Sequence, residues 1–491
     1  MTFLKHPDCI YIGGEWQPTA EREAVINPAD ESLLIEAPVG SAAQVDAAIA
    51  AARHAFDHGD WPRLPVAQRQ AALTRFLDAL DARREQIIAM IVAEAGSTQM
   101  LAGFLQYGIP MKHARRTVEL ASRSPVTPLS PELTPNASGG LTLGSAVVVR
   151  EPVGVVAAIS PYNFPFFLNI GKVVPALAAG CTVVLKPSPY TPMEALILGE
   201  AADEAGLPKG VLSIVTGDIE AGKLLTSDPR VDLVHFTGSD KVGEAIQAQG
   251  APTLKRIVME LGGKSALIVR SDADLQAAAM AGLGGFTTHC GQGCALTTRM
   301  LVHNSVRGQF VEMMKAMLAH VKIGNPADPS VSFGPLIREV ARARTERYVA
   351  IAQDEGATLA WGGQRPEGLD KGFFFQPTLF DNARNDSRLA QEEVFGPIGA
   401  VIGFDDDDEA IAIANASDFG LAGAIYSADA GRAYELALRI RTGGVAINGG
   451  AGTMLSDAPF GGIKRSGYGR EYGEDGLNEF TYQKVISFSA K

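Results

Sequence analysis

Apolar residues in the first quarter of the chain repeat at helical spacing. Ser41 and Gln44 form a capping-box pattern ahead of an alanine-rich stretch, which predicts the start of a helix. Apolar residues at helical spacing between Leu73 and Val92 predict one longer amphipathic helix. Residues 124–140 contain four prolines and no periodicity, so they are predicted to form a connector or an arm that leads into a strand-like stretch.

From residue 153 onward, short β-rich apolar runs alternate with helix-compatible stretches. These runs are too apolar to have a solvent-exposed face, which predicts parallel sheets covered by helices on both sides. Strands are predicted at 153–160, 182–186, 211–215, 231–236 and 255–261 in a first series, and at 266–269, 299–303, 424–427 and 444–448 in a second. The chain is therefore predicted to contain two α/β domains and an arm.

Composition and charge describe an ordinary globular chain of 491 residues, 46% hydrophobic and 20% charged. The net charge of −12 argues against nucleic acid or an anionic membrane as a partner. The N-terminus has no signal-peptide pattern, and the longest apolar run, 173–185, is too short to span a bilayer. Four scattered cysteines form no disulfide framework, which favours a reducing compartment, so we expect a cytoplasmic protein. The acidic run 405–409 is interpreted as a solvated loop that leads into a helix.

No standard motif indicates a nucleotide site, because both the G-x-G-x-x-G fingerprint and the phosphate-loop pattern are absent from the sequence. Gly238 and Ser239 stand where a predicted strand ends and a helix starts, and backbone N–H groups there suit an anion. Lys186 ends another predicted strand, at the edge where open α/β sheets bind ligands. An ordinary helix-starting turn and a solvated lysine explain these residues equally well.

Cys290 and Cys294 raise a separate question, because they are spaced C-x-x-x-C without a second cysteine pair. Zinc sites normally need four well-spaced ligands, so we expect no metal site. The glycines in "GQGC" open the backbone ahead of Cys294, as a reactive thiol requires, but glycine also marks close helix packing. The composition leaves an inert buried thiol and a nucleophile as open alternatives.

Eight segments taken together resemble the aldehyde dehydrogenase superfamily. They occur in family order over nearly the whole chain, at 160–167, 183–188, 236–243, 259–265, 291–299, 324–337, 392–398 and 459–471. The resemblance implies an α/β fold with two doubly wound, Rossmann-like parallel-sheet domains and a β-hairpin arm for oligomerisation. It implies a dinucleotide-binding domain of 1–123 and 151–258, a catalytic domain of 259–455, and an oligomerisation arm of 124–150 and 472–491. A homodimer or a tetramer is expected.

The resemblance also implies roles for five residues in the oxidation of an aldehyde to a carboxylic acid. Cys294 attacks the aldehyde carbon, and the Asn163 amide together with the Cys294 backbone N–H holds the oxyanion. Glu260 activates the water that hydrolyses the resulting thioester, and Lys172 and Glu471 match a proton-relay pair behind it.

For the cofactor, the resemblance implies NAD. The residues that match the family's cofactor positions are Ser160, Tyr162, Lys186, Ser188, Gly238, Ser239, Gly243, Leu261, Glu393 and Phe395. Tyr162 stands where tryptophan is usual. Pro189 stands where many members carry a glutamate that accepts ribose hydroxyls and repels a 2′-phosphate, so NADP is the alternative.

The substrate is predicted from the positions expected to line the entry tunnel: Phe164, Phe167, Gly171, Cys290, Ala295, Met454 and Leu455. They are mostly apolar or small, which favours a neutral aromatic or aliphatic aldehyde over a carboxylated semialdehyde, unless Arg115 or Arg116 points inward. Alternatives are a semialdehyde dehydrogenase, a catalytically silent binding protein and a thiol redox sensor. A coenzyme A-acylating relative is disfavoured, because that reaction needs no base such as Glu260.

Overall fold

Eight strands form the first large sheet of the protein, whose computed structural model describes residues 4–489. Five of them are parallel and lie in the spatial order third, second, first, fourth and fifth along the chain, which is a doubly wound arrangement. In spatial order the strands are Glu15–Pro18, Cys9–Ile12, Leu212–Ile214, Thr182–Lys186, Val155–Ile159, Leu233–Thr237, Arg256–Glu260 and Gly467–Tyr468. The outer strands at both edges pair antiparallel.

Both faces of this sheet are covered, because every residue of the strands Val155–Ile159, Thr182–Lys186 and Leu233–Thr237 is buried. One core contains Val156, and the core on the opposite face contains Val155, as the alternation of strand side chains requires. The covering helices are Ala42–His58, Val66–Asp81, Arg84–Ala95, Gln99–Leu101, Ile109–Leu120, Pro165–Ala179, Met193–Ala205, Ile219–Ser227 and Asp240–Gly250, with a π-helical segment at Ala102–Gly108.

The capping box at Ser41 and Gln44 is confirmed. The prediction of one helix between Leu73 and Val92 is wrong, since the chain forms two helices there, Val66–Asp81 and Arg84–Ala95. The break lies at Arg83, whose backbone leaves the helical region at φ −106° and ψ 14°. The side chain of Arg83 donates to the carbonyl of Ala79 and to Glu204, which fixes the turn.

The second large sheet has seven strands, all parallel except the first edge strand. In spatial order they are Thr358–Trp361, Thr378–Asp381, Ile398–Phe404, Arg299–His303, Ala266–Val269, Ala422–Tyr426 and Gly444–Ile447. The first three were not predicted from the sequence. The helices of this domain are Leu275–Thr287, Asn304–Leu318, Glu339–Asp354, Arg388–Gln391, Asp407–Asn415 and Ala430–Ala437.

The acidic run at 405–409 leads into a helix, as predicted, and Asp406 caps that helix. It is not only a solvated loop, because Asp407 accepts hydrogen bonds from Arg270 and Arg432. This residue therefore ties the helix to the sheet edge rather than facing water.

The arm is a four-stranded antiparallel sheet. Its long strand Leu141–Pro152 pairs with Thr481–Ser489, Val126–Pro128 and Glu132–Pro135. Two smaller sheets pair Glu21–Ile26 with Leu33–Val39 and Phe419–Gly420 with Ile463–Lys464. The α/β fold class with two doubly wound domains and a β arm is confirmed.

Two predicted boundaries differ from the structure. The strand Arg256–Glu260 pairs with the first sheet, so Glu260 belongs there and not beyond a boundary at 258. The helix Gly473–Asn478 packs against Ile109–Leu120 and Pro165–Ala179, so the arm resumes only at Thr481. The predicted domain ends at residues 1–3 and 490–491 lie outside the described residues. Within residues 4–489, no helix has the length and apolar character needed to cross a membrane.

Candidate active site

A cavity of about 420 Å³ lies at the carboxyl ends of the first sheet's strands and is closed by the second domain. The strand Val155–Ile159 leads into Asn163, and its neighbour Leu233–Thr237 leads into Gly238. The strand order reverses between these strands, which is where open α/β sheets bind ligands. The predicted site residues in the cavity wall are Tyr162, Asn163, Phe164, Phe167, Gly238, Ser239, Leu261, Cys294, Ala295, Glu393, Phe395 and Glu471.

Cys294 lies just after a strained loop, in which His289, Cys290 and Gly291 all have φ between 48° and 74°. A side chain at Gly291 would place its Cβ 2.1 Å from the carbonyl oxygen of Gly396, so only glycine fits. Burial raises the pKa of the Cys294 thiol to about 12, with further contributions from Glu393 and from Glu260 and Glu471. The thiol is therefore protonated near neutral pH unless its environment changes.

Asn163 is buried and fixed to the cysteine loop. Its side-chain Nδ2 donates to the carbonyl oxygen of Gln292 at 2.8 Å, and Gln292 accepts from the backbone N–H of Ile337 at 3.0 Å. An amide nitrogen carries two protons, so one remains for an oxyanion beside Cys294. The link between two distant segments keeps this donor in a defined place.

Glu260 ends the strand Arg256–Glu260 and is only 1% exposed. Neither carboxyl oxygen has a hydrogen-bond partner among residues 4–489. Burial, followed by the charge of Glu471, raises the pKa of Glu260 well above its usual range. Such a carboxyl can accept a proton near neutral pH, although it lies beside the cavity wall rather than in it.

Lys172 and Glu471 form a fully buried ion pair, with 2.6 Å between Nζ and Oε1. Lys172 also donates to the hydroxyl of Thr237 at 2.6 Å. The structure adds His235, which was not predicted, with Nε2 2.9 Å from Glu471 Oε1. Burial opposes ionisation of Glu471, but Lys172 and His235 outweigh it and lower the pKa of that carboxyl.

The predicted cofactor residues lie along one edge of the first domain. Burial lowers the pKa of Lys186 to about 8, and its Cε lies close to Gly222, in the first turns of the helix Ile219–Ser227. Ser239 caps the helix Asp240–Gly250. Ile219 and Val242, in the first turns of these two helices, are apolar and exposed.

Glu393 lies in the cavity wall, where its carboxylate accepts a hydrogen bond from the backbone N–H of Gly263 at 2.9 Å. Burial raises the pKa of Glu393 to about 7. The ring of Tyr162 stands edge-on to that of Phe395, 6.1 Å between centroids. The other predicted cofactor residues lie outside the cavity wall: Ser160, Lys186, Ser188 and Gly243. Ser160 is buried, and its hydroxyl donates to the side chain of the buried Asn169.

Four predicted tunnel residues do not line this cavity: Gly171, Cys290, Met454 and Leu455. The space beside Gly171 is filled by Tyr472, whose hydroxyl would be 3.0 Å from an added Cβ. Cys290 is buried and lines a separate cavity of about 180 Å³ with His289. Met454 and Leu455 are 38% and 56% exposed and lie outside the cavity wall.

Neither arginine that was considered for the tunnel reaches it. Arg115 pairs with Asp78 and Asp81, and Arg116 pairs with Asp457 at 2.7 Å. Wall residues that the sequence analysis did not name are Leu105, Pro161, Leu168, Thr237, Gly262, Thr288, Gly293, Leu296, Arg344, Phe460 and Tyr472. Phe460 and Tyr472 lie within or next to the segment 459–471, so the motif pointed to them, whereas Leu105 has no local signal.

A thiol and an amide donor thus meet in a mostly apolar cavity with the buried Glu260 carboxyl beside it, an arrangement suited to nucleophilic catalysis by cysteine. Within residues 4–489, no group of three or more His, Cys, Asp or Glu side chains is placed to hold a metal ion.

Known proteins share this fold. Residues 16–486 match the aldehyde dehydrogenase family. The 3-succinoylsemialdehyde-pyridine dehydrogenase of a Pseudomonas species is 38% identical over 480 residues, covering 97% of each chain. An aldehyde dehydrogenase of Mycobacterium tuberculosis, solved with NAD+, is 41% identical, with a TM-score of 0.92 over 98% of this chain and 97% of that one. A betaine aldehyde dehydrogenase of Staphylococcus aureus, also solved with NAD+, is 34% identical, with a TM-score of 0.94 over 98% and 95%.

The chain belongs to the aldehyde dehydrogenase family. The recognition made from the eight sequence segments is confirmed.

Proposed function

We propose that this protein oxidises a neutral aromatic or aliphatic aldehyde to the carboxylic acid, with NAD as the hydride acceptor. The observation that carries the proposal is the meeting of Cys294 and the anchored Asn163 amide in one apolar cavity, with Glu260 buried beside it. Each group supplies a part of the chemistry that the other two lack.

The residues present fit NAD. Lys186 and Ser239 would hold the adenosine and pyrophosphate end, because they lie at a strand end and at a helix N-terminus. Glu393, a hydrogen-bonding group in the cavity wall, would hold the nicotinamide ribose. When bound, the nicotinamide accepts the hydride released in the oxidation. The two NAD+-bound relatives support NAD over NADP, although Pro189 provides no carboxylate against a 2′-phosphate.

The covalent step belongs to Cys294. After losing its proton, the sulfur attacks the aldehyde carbon, and the developing oxyanion is stabilised by Asn163 Nδ2 and by the backbone N–H of Cys294. Loss of one such donor costs about 3–4 kcal/mol of transition-state stabilisation. The buried anchor of Asn163 on Gln292 keeps this donor aimed before substrate arrives.

Hydrolysis of the thioester belongs to Glu260. Its raised pKa suits it to remove a proton from the attacking water, after which the C–S bond breaks and Cys294 leaves as thiolate. This role requires the carboxylate to turn from beside the wall into the cavity, which its chain neighbour Leu261 lines. The ionised Glu471, paired with Lys172, is the group placed to relay the proton onward.

The neutral substrate follows from the wall of the cavity, which is built from Phe164, Phe167, Leu168 and Phe460. Arg115 and Arg116 are ion-paired elsewhere, and Arg344 donates to the carbonyl of Phe395 on the cofactor side. Arg344 is the one lysine or arginine in the described cavity wall, and we assign it to the cofactor because it contacts Phe395, which disfavours a second carboxylate on the substrate. A pyridine ring, as in the name of the Pseudomonas relative, fits such a wall.

Formation of NADH at 340 nm tests this proposal, with benzaldehyde, hexanal and succinate semialdehyde under NAD+ and NADP+ separately. We expect turnover with the neutral aldehydes and NAD+, loss of at least a thousandfold in Cys294→Ala, and wild-type rates in Cys290→Ala. A preference for succinate semialdehyde would overturn the substrate class. Absence of turnover in folded wild type would overturn the function.

The protein is further proposed to act as a homo-oligomer in the cytoplasm. The arm carries exposed apolar residues, and all four cysteines are free thiols, as a reducing compartment maintains them.

A further inference from the structure

The strand Leu233–Thr237 carries two polar side chains on the same face, where a buried strand normally carries apolar ones. Thr237 and His235 are two residues apart, so both point toward the helix Pro165–Ala179, which carries Lys172. Thr237 accepts from Lys172 Nζ at 2.6 Å, and His235 Nε2 lies 2.9 Å from Glu471 Oε1. One strand thus contacts both members of the buried ion pair.

His235 has no other apparent task. Its ring is fully buried and packs against Phe480 at 5.4 Å between centroids. An apolar residue of similar size would fill this space without the cost of burying two ring nitrogens. Burial, followed by the charge of Lys172, lowers the pKa of His235 to about 4, so the ring is neutral at working pH and can carry its proton on Nε2.

We propose that His235 is a positioning residue for hydrolysis of the thioester, which keeps the Glu471 carboxylate in place through the close approach of Nε2 to Oε1 and donates to it once the ring turns. In the structure Nε2 lies 2.9 Å from Oε1 without the alignment of a hydrogen bond, Lys172 donates to the same oxygen, and Oε2 has no hydrogen-bond partner among residues 4–489 and remains open to a proton. His235 touches neither substrate nor cofactor and transfers no proton itself. This inference rests on the proposed function, because it assigns a purpose to the relay behind Glu260.

Removal of the imidazole donor has a defined electrostatic consequence. Glu471 faces Lys172, His235, Tyr472 and Glu260, with Arg470 and Glu479 close to Glu260. Of these, Lys172 and His235 hold Glu471 in its ionised form. Loss of one donor raises the pKa of Glu471 from about 2 by about 0.5–1 unit, which leaves the carboxylate ionised above pH 5. The loss therefore appears as a misplaced carboxylate and slower hydrolysis at every pH of the test, not as a shift of its pH dependence.

The test follows decay of an acetyl-enzyme, which isolates hydrolysis from the oxidation. The full chain is acetylated with p-nitrophenyl acetate and desalted, and loss of the acetyl mass from the Cys294 peptide is timed between pH 5.5 and 9. We compare wild type with His235→Leu, which removes the donor, and with His235→Gln, which keeps a nitrogen donor at about the same reach. Phe480→Leu is the matched control for packing around the ring, and a thermal melt checks each fold.

We expect decay about tenfold slower in His235→Leu at every pH between 5.5 and 9, and partial recovery of the rate in His235→Gln. Phe480→Leu keeps the wild-type decay rate. Wild-type decay in His235→Leu overturns the inference. So does equal slowing in His235→Leu, His235→Gln and Phe480→Leu, because packing then explains the effect. If wild type is never acetylated at Cys294, the proposed function fails, and the inference fails with it.

Discussion

At the scale of single residues, the site concentrates negative charge and desolvation around the nucleophile. Burial and the neighbouring Glu393, Glu260 and Glu471 all raise the pKa of Cys294. The same burial raises the pKa of Glu260 and prepares it as a base. The free protein therefore holds a protonated thiol beside a carboxyl that, once ionised, is a stronger base than a solvent-exposed glutamate.

The raised pKa of Cys294 predicts how its alkylation depends on pH. The thiolate is the reactive form, and its fraction rises about tenfold per pH unit below the pKa. With a pKa of about 12, the rate of carboxamidomethylation by iodoacetamide increases about a hundredfold from pH 7 to pH 9 without levelling off. Mass spectrometry of the Cys294 peptide gives this rate.

The Cys290→Ser variant is the control for this measurement, since Cys290 is buried in the separate cavity and its burial also raises its pKa well above the usual range. Its Cys294 rate matches wild type. A plateau below pH 8 would contradict the account of the charges around the thiol.

At the scale of elements, the loop ahead of Cys294 is held in an otherwise unfavourable conformation by its neighbours. Three consecutive residues, 289–291, have positive φ, and Gln292 anchors the loop through Asn163 and Ile337. Strain of this kind persists only where the surroundings determine it, and it commonly accompanies an active site.

Gly291→Ala tests this loop. Its Cβ meets the Gly396 carbonyl, so we expect a loss on the order of 3 kcal/mol in the free energy of unfolding, together with loss of aldehyde oxidation. Gly308→Ala is the matched control. Gly308 lies in the exposed interior of the helix Asn304–Leu318, with nothing within 4 Å of an added Cβ, and gains about 0.5–1 kcal/mol. Urea denaturation measures both, and equal stability of the two variants would refute the role of the loop.

Burial made several strands predictable but not all. The strands 182–186, 266–269 and 299–303 match the structure residue for residue, because the centre of a strand buried on both faces is a continuous apolar run. The strand Ile398–Phe404 is also largely buried but was not predicted, and two glycines interrupt its apolar run. The break at Arg83 escaped prediction, because apolar spacing continues across it and the turn is fixed by contacts distant in sequence. The strand Thr358–Trp361 has exposed positions and so lacks the apolar signal of its neighbours.

The candidate site shows the same division between local and tertiary information. Motifs located Cys294, Asn163 and Glu260, which the fold brings around one cavity. The role of His235 lay hidden in an ordinary strand run, because only the packing of Lys172 and Glu471 against that strand gives it a partner. Gly171 was expected to line the tunnel, but Tyr472, distant in sequence, fills the space beside it.

At the scale of the whole molecule, the arm is the part least explained by the folding of one chain. Its strand Thr481–Ser489 is an edge strand, and Leu133, Leu141 and Val485 are all more than 60% exposed. Exposed apolar edges of this kind are normally covered by another chain.

The arm therefore predicts a mass of two or four chains of 51.7 kDa in light scattering after size exclusion. Replacing Leu133, Leu141 and Val485 together with aspartate shifts the protein toward smaller species, because buried charge weakens the interface. The control is a triple aspartate variant at Val340, Tyr434 and Leu438, which are exposed and lie outside the arm. We expect it to keep the wild-type mass. A wild-type mass of 51.7 kDa would rule out the oligomer.

The two domains together complete the site, since the first supplies Asn163 and Glu260 and the second supplies Cys294. The central claim is that an aldehyde becomes a thioester on Cys294 that Glu260 then releases by hydrolysis. The most direct measurement is the mass of Glu260→Gln after mixing with benzaldehyde and NAD+ at pH 9, alongside wild type. We predict one NADH per chain and a benzoyl group on the Cys294 peptide that persists in the variant but not in wild type. NADH formed in the variant at the full wild-type steady rate, with no acyl group on Cys294, would contradict the account.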